Sequence, residues 1–355
     1  MTSVSERWSG ALQLLGLLAT VVLLVAGLRR GERSPVGTKA LATTARVSLL
    51  ALGDINLGRN VGQRILNGDT LYAFALAMDT LRAYDVVFAN LESNISDQKG
   101  RTEHPHNNII FTAPPAAAYA LRRAGITVVS TANNHALDFG LAAKEQTIAY
   151  LDGAGIAHAG TAARGGPLYA PAIVTVRGIR LAFFAVTDVM NSTGNGWHKH
   201  VAAADTAELL PAVRRARDSV DVVIVSYHGG QEYGERVTAR TDSLSSDLLR
   251  GGVGLVLGHH PHVPYGLDAV GSRIAVHSLG NFVFKQPERY WTRYSYALAA
   301  VVAKDSGRAR IESIRVLPLK ADYQPEFLNG GTDAANVRDR VRMMSGKEAL
   351  ERVAW

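Results

Sequence analysis

Three histidines fall within four residues at His259-His260-Pro261-His262, directly after the apolar run Val256-Leu257-Gly258. Imidazoles bind borderline transition metals and exchange protons near neutral pH. In an extended segment His260 and His262 point to one side, because side chains alternate, and His259 points to the other. His260 and His262 can then serve neighbouring metals. Four other apolar runs end in comparable groups. Asp54 stands in Leu52-Gly53-Asp54-Ile55-Asn56-Leu57-Gly58-Arg59 and Glu92 in Asn90-Leu91-Glu92-Ser93. Asn133, Asn134 and His135 follow Ser130-Thr131-Ala132, and His228 closes Val225-Ser226-Tyr227-His228-Gly229-Gly230. Each has an ordinary explanation when taken alone. Gly-Asp after a strand makes a turn, Glu92 makes a solvated acid, Asn133 or Asn134 caps a helix, and His228 fills a core. Five such groups at five strand ends point instead to one site.

Asp54, Glu92, Asn134, His228, His260 and His262 supply two carboxylates, one amide oxygen and three imidazoles. Such an N/O set suits Mn, Fe or Zn. Glu92 is the natural bridge, since a carboxylate offers one oxygen to each of two cations. Two dications less two carboxylates leave roughly two positive charges, which attracts phosphate and acidifies water in a two-metal site. His135 is left to protonate a leaving oxygen. Asp138, three residues on, is placed to orient it. Arg59 and Glu232, which belong to the first and fourth of these motifs in chain order, and Asn281, further along the chain, are candidate substrate contacts. His104-Pro105-His106 repeats the spelling in a polar stretch and reads as a surface or rim loop.

The elements that must hold these groups alternate. Val47–Leu52, Asp85–Leu91, Thr127–Thr131, Arg180–Val186, Asp221–Tyr227, Gly254–Leu257 and Ile274–His277 read as buried strands. Ala73–Ala83, Ala116–Ala124, Leu141–Gly153, Thr206–Ser219 and Asp242–Arg250 read as helices. The order predicts an α/β sheet with covered faces and ligands at the carboxyl ends of its strands. Tyr296–Ala303 and Arg308–Pro318 read as a hairpin around Asp305-Ser306-Gly307. The polar tail after Asp333 reads as a peripheral helix.

The chain has 355 residues, 47% apolar and 19% charged, enough for one large domain. It has no cysteine, which excludes disulfides, zinc-thiolate sites and a catalytic thiol. Its net charge of +7 favours acidic partners. Its basic residues are scattered rather than interleaved with aromatics, so nucleic acid is not the expected partner. Ala11–Leu28 is a nearly unbroken apolar run of membrane-spanning length, stopped by Arg29 and Arg30. It reads as an uncleaved single-pass anchor, because no small-x-small cleavage site follows it closely. Arg29, Arg30 and Arg33 after the run, against Arg7 before it, favour a cytoplasmic C-terminal domain by charge alone.

The motifs, in this order, resemble the calcineurin-like metallophosphoesterase superfamily and, within it, the CapA capsule-synthesis (poly-γ-glutamate) family. The resemblance spans Val47 to Phe284 and includes Thr112-Ala113-Pro114-Pro115 and Ser278-Leu279-Gly280-Asn281-Phe282. Asn56 stands where the superfamily has histidine, as in the CapA branch and in certain bacterial cyclic-nucleotide phosphodiesterases, where a Glu supplies the bridge. The resemblance implies a four-layer αββα sandwich of the metallophosphoesterase type, an α/β fold, behind one N-terminal transmembrane helix. It implies a role in making or exporting an anionic capsule polymer, two divalent metal ions, and a domain outside the cytoplasm at the cell membrane. The division expected is a membrane anchor over 1–30, a flexible tether over 31–45, the CapA-like domain over 46–330 and a polar tail over 331–355. The leading function is a metal-dependent hydrolase acting on a phosphoester or anionic polymer, with polymer-synthase subunits as partners. A non-catalytic accessory subunit and a cyclic-nucleotide phosphodiesterase are the alternatives.

Overall fold

The computed structural model describes residues 44–191 and 196–355. The expected anchor Ala11–Leu28 and nearly all of the expected tether lie outside the described residues. Among the described residues no helix is long and apolar enough to cross a membrane.

Eighteen strands are described, and fifteen of them build two large sheets. In chain order they are β1 (Ala45–Ile55), β2 (Val86–Leu91), β3 (Asn94–Ile95), β4 (Glu103–His104), β5 (Asn107–Ala113), β6 (Val128–Ser130), β7 (Ala157–Ala159), β8 (Ala172–Val176) and β9 (Ile179–Thr187). There follow β10 (Val222–His228), β11 (Leu255–His259), β12 (Leu267–Val270), β13 (Arg273–Val276), β14 (Asn281–Val283), β15 (Tyr294–Asp305), β16 (Arg308–Lys320), β17 (Glu326–Phe327) and β18 (Val353–Ala354). The first sheet runs β17-β16-β15-β1-β2-β6-β7, with β14 also on β1 and β18 on β16. The second runs β12-β13-β11-β10-β9-β8, and β3, β5 and β4 form a small third sheet. Strands β1, β2, β6 and β7 are parallel, as are β9, β10, β11 and β13.

Alternation along the strands shows how the layers stack. In β1, Val47, Leu49 and Ala51 face one apolar cluster, and Leu50 and Leu52 face another. In β9, Leu181, Phe183 and Ala185 join the same first cluster, and Ala182, Phe184 and Val186 face a third. The first cluster therefore lies between the two sheets, where Phe88 of β2 stacks on Phe183 of β9 at 5.6 Å. Helices cover the outer faces: 59–66 and 116–124 on the first sheet, 206–217 and 239–250 on the second. Strands buried on both faces read as continuous apolar runs rather than alternating ones.

Two elements differ from the sequence reading. Ala73–Ala83 is not one helix. A 3-10 turn (Tyr72–Phe74) precedes a short helix (Met78–Arg82), because i to i+3 bonds at Phe74 and Ala77 tighten the chain. Phe74, Ala77 and Leu81 then all reach the outer core. The C-terminal segment is not peripheral. Its helix Gly331–Met343 buries Val337 and Val341 in the cluster between the sheets, and β18 pairs in parallel with β16.

Candidate metal centre

Strand register brings the polar groups together. Asp54 on β1 pairs with Asn90 on β2 and with Asn281 on β14. His228 at the end of β10 pairs with His259 at the end of β11. The two sheets thus present their carboxyl edges to one another. Two glycines let neighbouring chain segments within each sheet close up at this end. A Cβ on Gly53 would lie 1.9 Å from the Gly280 carbonyl oxygen, and one on Gly258 would lie 2.1 Å from the His277 carbonyl oxygen. The register of β1 shifts on either side of Asp54, a bulge that re-aims the carboxylate.

Asp54, Glu92, Asn134, His228, His260 and His262 converge, all buried. Glu92 Oε1 lies 3.8 Å from the Nε2 atoms of His135, His228 and His262. That is too long for a hydrogen bond. It is a separation that donors about 2.0–2.2 Å from a shared cation can adopt. Two sets of donor atoms lie within 4.8 Å of one another: Glu92, His228 and His260, and Asp54, Glu92 and His262. Glu92 belongs to both. Both Glu92 oxygens and His260 Nδ1 are buried with no hydrogen-bond partner, a costly arrangement that a cation relieves. His228 Nε2 lies 2.8 Å from Asn134 Oδ1, which adds the amide oxygen to the set. The donor set therefore fits divalent metal, with Glu92 common to both groups.

The electrostatics fit as well. Burial drives the His228 imidazolium well below its ordinary range and His260 to about 3, so both rings are neutral with lone pairs to give. Burial, with the Asp54 charge beside it, raises the Glu92 carboxyl well above the carboxylate range. Burial also acts to raise Asp54, but its contacts with His259 and His262 outweigh that and hold it well below the carboxylate range.

The geometry of the histidine run differs from the extended segment read in the sequence. Strand β11 ends at His259, and His260 (φ 94°) and His262 (φ 59°) are left-handed. A turn, not strand alternation, aims His260 and His262 at Glu92. His259 also turns inward, with Nδ1 3.2 Å from Asp54 Oδ1.

His135 Nδ1 lies 2.8 Å from Asp138 Oδ2, which also accepts from the Phe111 amide at 3.0 Å. The residues between them form a turn rather than a helix. Phe111 stacks on His135 at 4.2 Å, and the Arg59 guanidinium lies 4.5 Å over the other ring, Phe111. Arg59, expected as a substrate contact, thus rests on the ring that stacks on His135. Glu232 is exposed on the loop after β10, and its charge also raises Glu92, after burial and Asp54. Asn281, expected at the substrate, is buried with its amide fully engaged. Its Oδ1 lies 2.8 Å from His262 Nδ1, and its Nδ2 donates to Gln286 Oε1 and the Thr292 carbonyl. It orients His262 so that Nε2 faces Glu92. His104 and His106 lie at the turn between β4 and β5, the surface position expected.

Three contributors escaped the sequence reading. Asn90 Nδ2 donates to Asp54 Oδ1 at 2.9 Å and lies 3.1 Å from His228 Nδ1. Asn133 Nδ2 donates to the Leu91 carbonyl at 2.8 Å and ties two of the motifs together. Asn191 accepts from Asn134 Nδ2 at 3.0 Å and sets its own amide 3.4 Å from His135. Asn90 had a signal, since it is two residues from Glu92 and shares its face.

The model of the family described as bacterial capsule synthesis protein PGA_cap matches residues 48–286. The capsule biosynthesis protein CapA of Bacillus anthracis is 27% identical over 346 residues, covering 95% of this chain and 82% of that protein. The PGA biosynthesis protein CapA of Bacillus subtilis is 29% identical over 272 residues, covering 74% and 69%. A probable polyglutamine synthesis accessory protein of Mycobacterium tuberculosis is 26% identical over 320 residues, covering 83% and 82%.

Proposed function

Because the chain belongs to the family of bacterial capsule synthesis protein PGA_cap, we propose that it works in the production or export of an anionic surface polymer as a two-metal hydrolase of the phosphoesterase type. The observation that carries this reading is Glu92, common to both donor clusters, with two buried oxygens and no hydrogen-bond partner for either. Asp54, Glu92, Asn134, His228, His260 and His262 are the residues that would hold the cations. When bound, two such ions polarise a phosphoryl oxygen and activate water. The chain's own side chains do the rest. Asp138 and the Phe111 ring lock the His135 imidazole, which leaves Nε2 as the atom that exchanges a proton with a leaving oxygen. Asn281 fixes the orientation of His262, and Asn90 holds Asp54 and His228 in register. We place the domain outside the cytoplasm behind Ala11–Leu28, with polymer-synthase subunits as its partners.

The test is turnover of phosphodiesters by wild type and His135→Ala, with metal content measured in parallel. The variant is expected to keep its metal and to lose about 10²–10⁴-fold in turnover number. The loss should shrink for nitrophenyl leaving groups, which need little protonation. Equal losses for good and poor leaving groups would rule out the acid role. One relative is described as an accessory protein, which favours a second reading: a polymer-synthase subunit whose metal centre binds polymer carboxylates. Wild type with full metal and no turnover on any phosphoester would select it.

A further inference from the structure

A second concavity lies on the edge of the first sheet that carries His135. The strand β6 runs out through Thr131 toward Asn134 and His135. Its parallel neighbour β7 runs out through Gly160 and Thr161 into residues 162–166. The Thr131 and Thr161 hydroxyls lie 2.7 Å apart, so the two exits stay together. Neighbouring strands are spaced about 4.8 Å apart. Residues 162–166 therefore leave the same sheet edge as Asn134 and His135, one strand further out. With helix Gly140–Ala154, which begins two residues after Asp138, and with the turn at Trp197–Lys199, they enclose a cavity of about 620 Å³.

The lining is basic. Leu141, Lys144 and Glu145 come from one face of the helix, at i, i+3 and i+4. Arg164, Lys199 and His200 come from the other walls. Lys144 is buried; its ammonium donates to the Ala162 carbonyl at 2.6 Å and pairs with Glu145 at 2.7 Å. An ammonium has three donors, so one is left for a ligand. The one carboxylate of the lining, Glu145, pairs with Lys144 and also accepts from the Arg164 backbone N–H, which leaves the lining with an excess of positive charge. Arg164 and Lys199 are exposed, and neither is ion-paired among the described residues. The volume is that of a pocket for a small organic group.

We infer that this cavity is a carboxylate-binding subsite, which takes an anionic unit of a flexible chain while another part of the same chain reaches the histidine centre. The inference rests on the proposed polymer reading for the nature of the chain, but not on hydrolysis or on metal. Lys144 supplies a buried N–H donor at the floor, its charge balanced by Glu145. Arg164 and Lys199 supply charges at the walls that adapt to the spacing of the units.

The test is binding of a labelled glutamate oligomer to the purified full-length protein by fluorescence anisotropy, with a glutamine oligomer of the same length as the uncharged control. Wild type should bind the glutamate oligomer in preference, and less tightly as salt is raised. Arg164→Glu with Lys199→Glu, both at exposed positions, should weaken that binding by about tenfold or more and leave metal content unchanged. His262→Ala should lower metal content and leave oligomer affinity within about threefold, well under 1 kcal/mol. No preference for glutamate over glutamine, or a charge-reversed variant that binds like wild type, overturns the subsite. Loss of binding in His262→Ala alone also overturns it, by placing the oligomer at the metal centre. Binding that depends on Arg164 and Lys199 in a protein without turnover supports the subsite and counts against the hydrolase.

Discussion

At the scale of the residue, Glu92 is the most informative side chain. A carboxyl buried among histidines and beside Asp54 is held well above the carboxylate range. Its unfolded value is about 4.3. Between those two values the unfolded chain releases its proton and the folded chain keeps it, so the stability of the metal-free protein falls as pH rises through the window. Above the folded value the whole cost is present. Asp54 acts in the opposite sense. Its folded value is depressed, so its contribution is complete above the unfolded value of about 3.9 and is lost as pH falls through the folded one. Glu92→Gln removes the first cost. After chelation the variant should therefore melt higher than wild type at neutral pH, and the gap should close as the medium is acidified. Added Mn should raise the wild-type melting temperature more than that of the variant. Thermal melts with and without chelator decide the matter, and a chelated variant that melts lower than chelated wild type at neutral pH would contradict this account of Glu92.

At the scale of the element, the centre depends on strands that approach without side chains between them. Gly53→Ala would push a methyl into the Gly280 carbonyl and must part β1 from β14. The expected cost is about 1–3 kcal/mol, the usual range for overpacking, together with weaker metal binding, because Asp54 and Asn281 sit in register at that point. Gly153→Ala is the control. It lies inside a helix, its Cβ would meet only the Tyr119 hydroxyl at 3.9 Å, and it should stabilise by about 0.4–1 kcal/mol. Chemical denaturation of both variants checks the contrast, and equal effects would mean that the β1–β14 approach is not under steric control. The strand ends were legible in the sequence because both faces of each strand are buried, so each strand stands out as an apolar run that stops at a polar residue. Asp54, Glu92, Asn134, His228, His260 and His262 stand at or just beyond such ends. What was not legible depends on register and turn geometry. His259 faces inward because it alternates with Leu255 and Leu257 on the face of β11 between the sheets. Asn281 reads as a candidate substrate contact until β14 is laid against β1 and its amide oxygen meets His262. Asn191 comes from a segment with no periodicity of its own. The buried stripe of Ala334, Val337 and Val341 was present in the tail, but the charges around it hid it.

At the scale of the whole molecule, two sheets meet at their carboxyl edges and share one site, with a basic cavity beside it on the same edge. A domain outside the cytoplasm, held by Ala11–Leu28, would present both to a polymer leaving the cell. Protease added to intact cells should then digest the domain. Protection until lysis would favour the opposite orientation, which Arg29, Arg30 and Arg33 support by charge. In the proposed centre Asp54, Glu92, Asn134, His228, His260 and His262 hold two cations with Glu92 between them. Elemental analysis of the purified protein after reconstitution, with Glu92→Gln alongside, tests it most directly. About two Mn, Fe or Zn ions per wild-type chain are expected, with loss from both positions in the variant. A wild-type chain that retains no metal, or a Glu92→Gln variant that holds two ions as tightly as wild type, would contradict it.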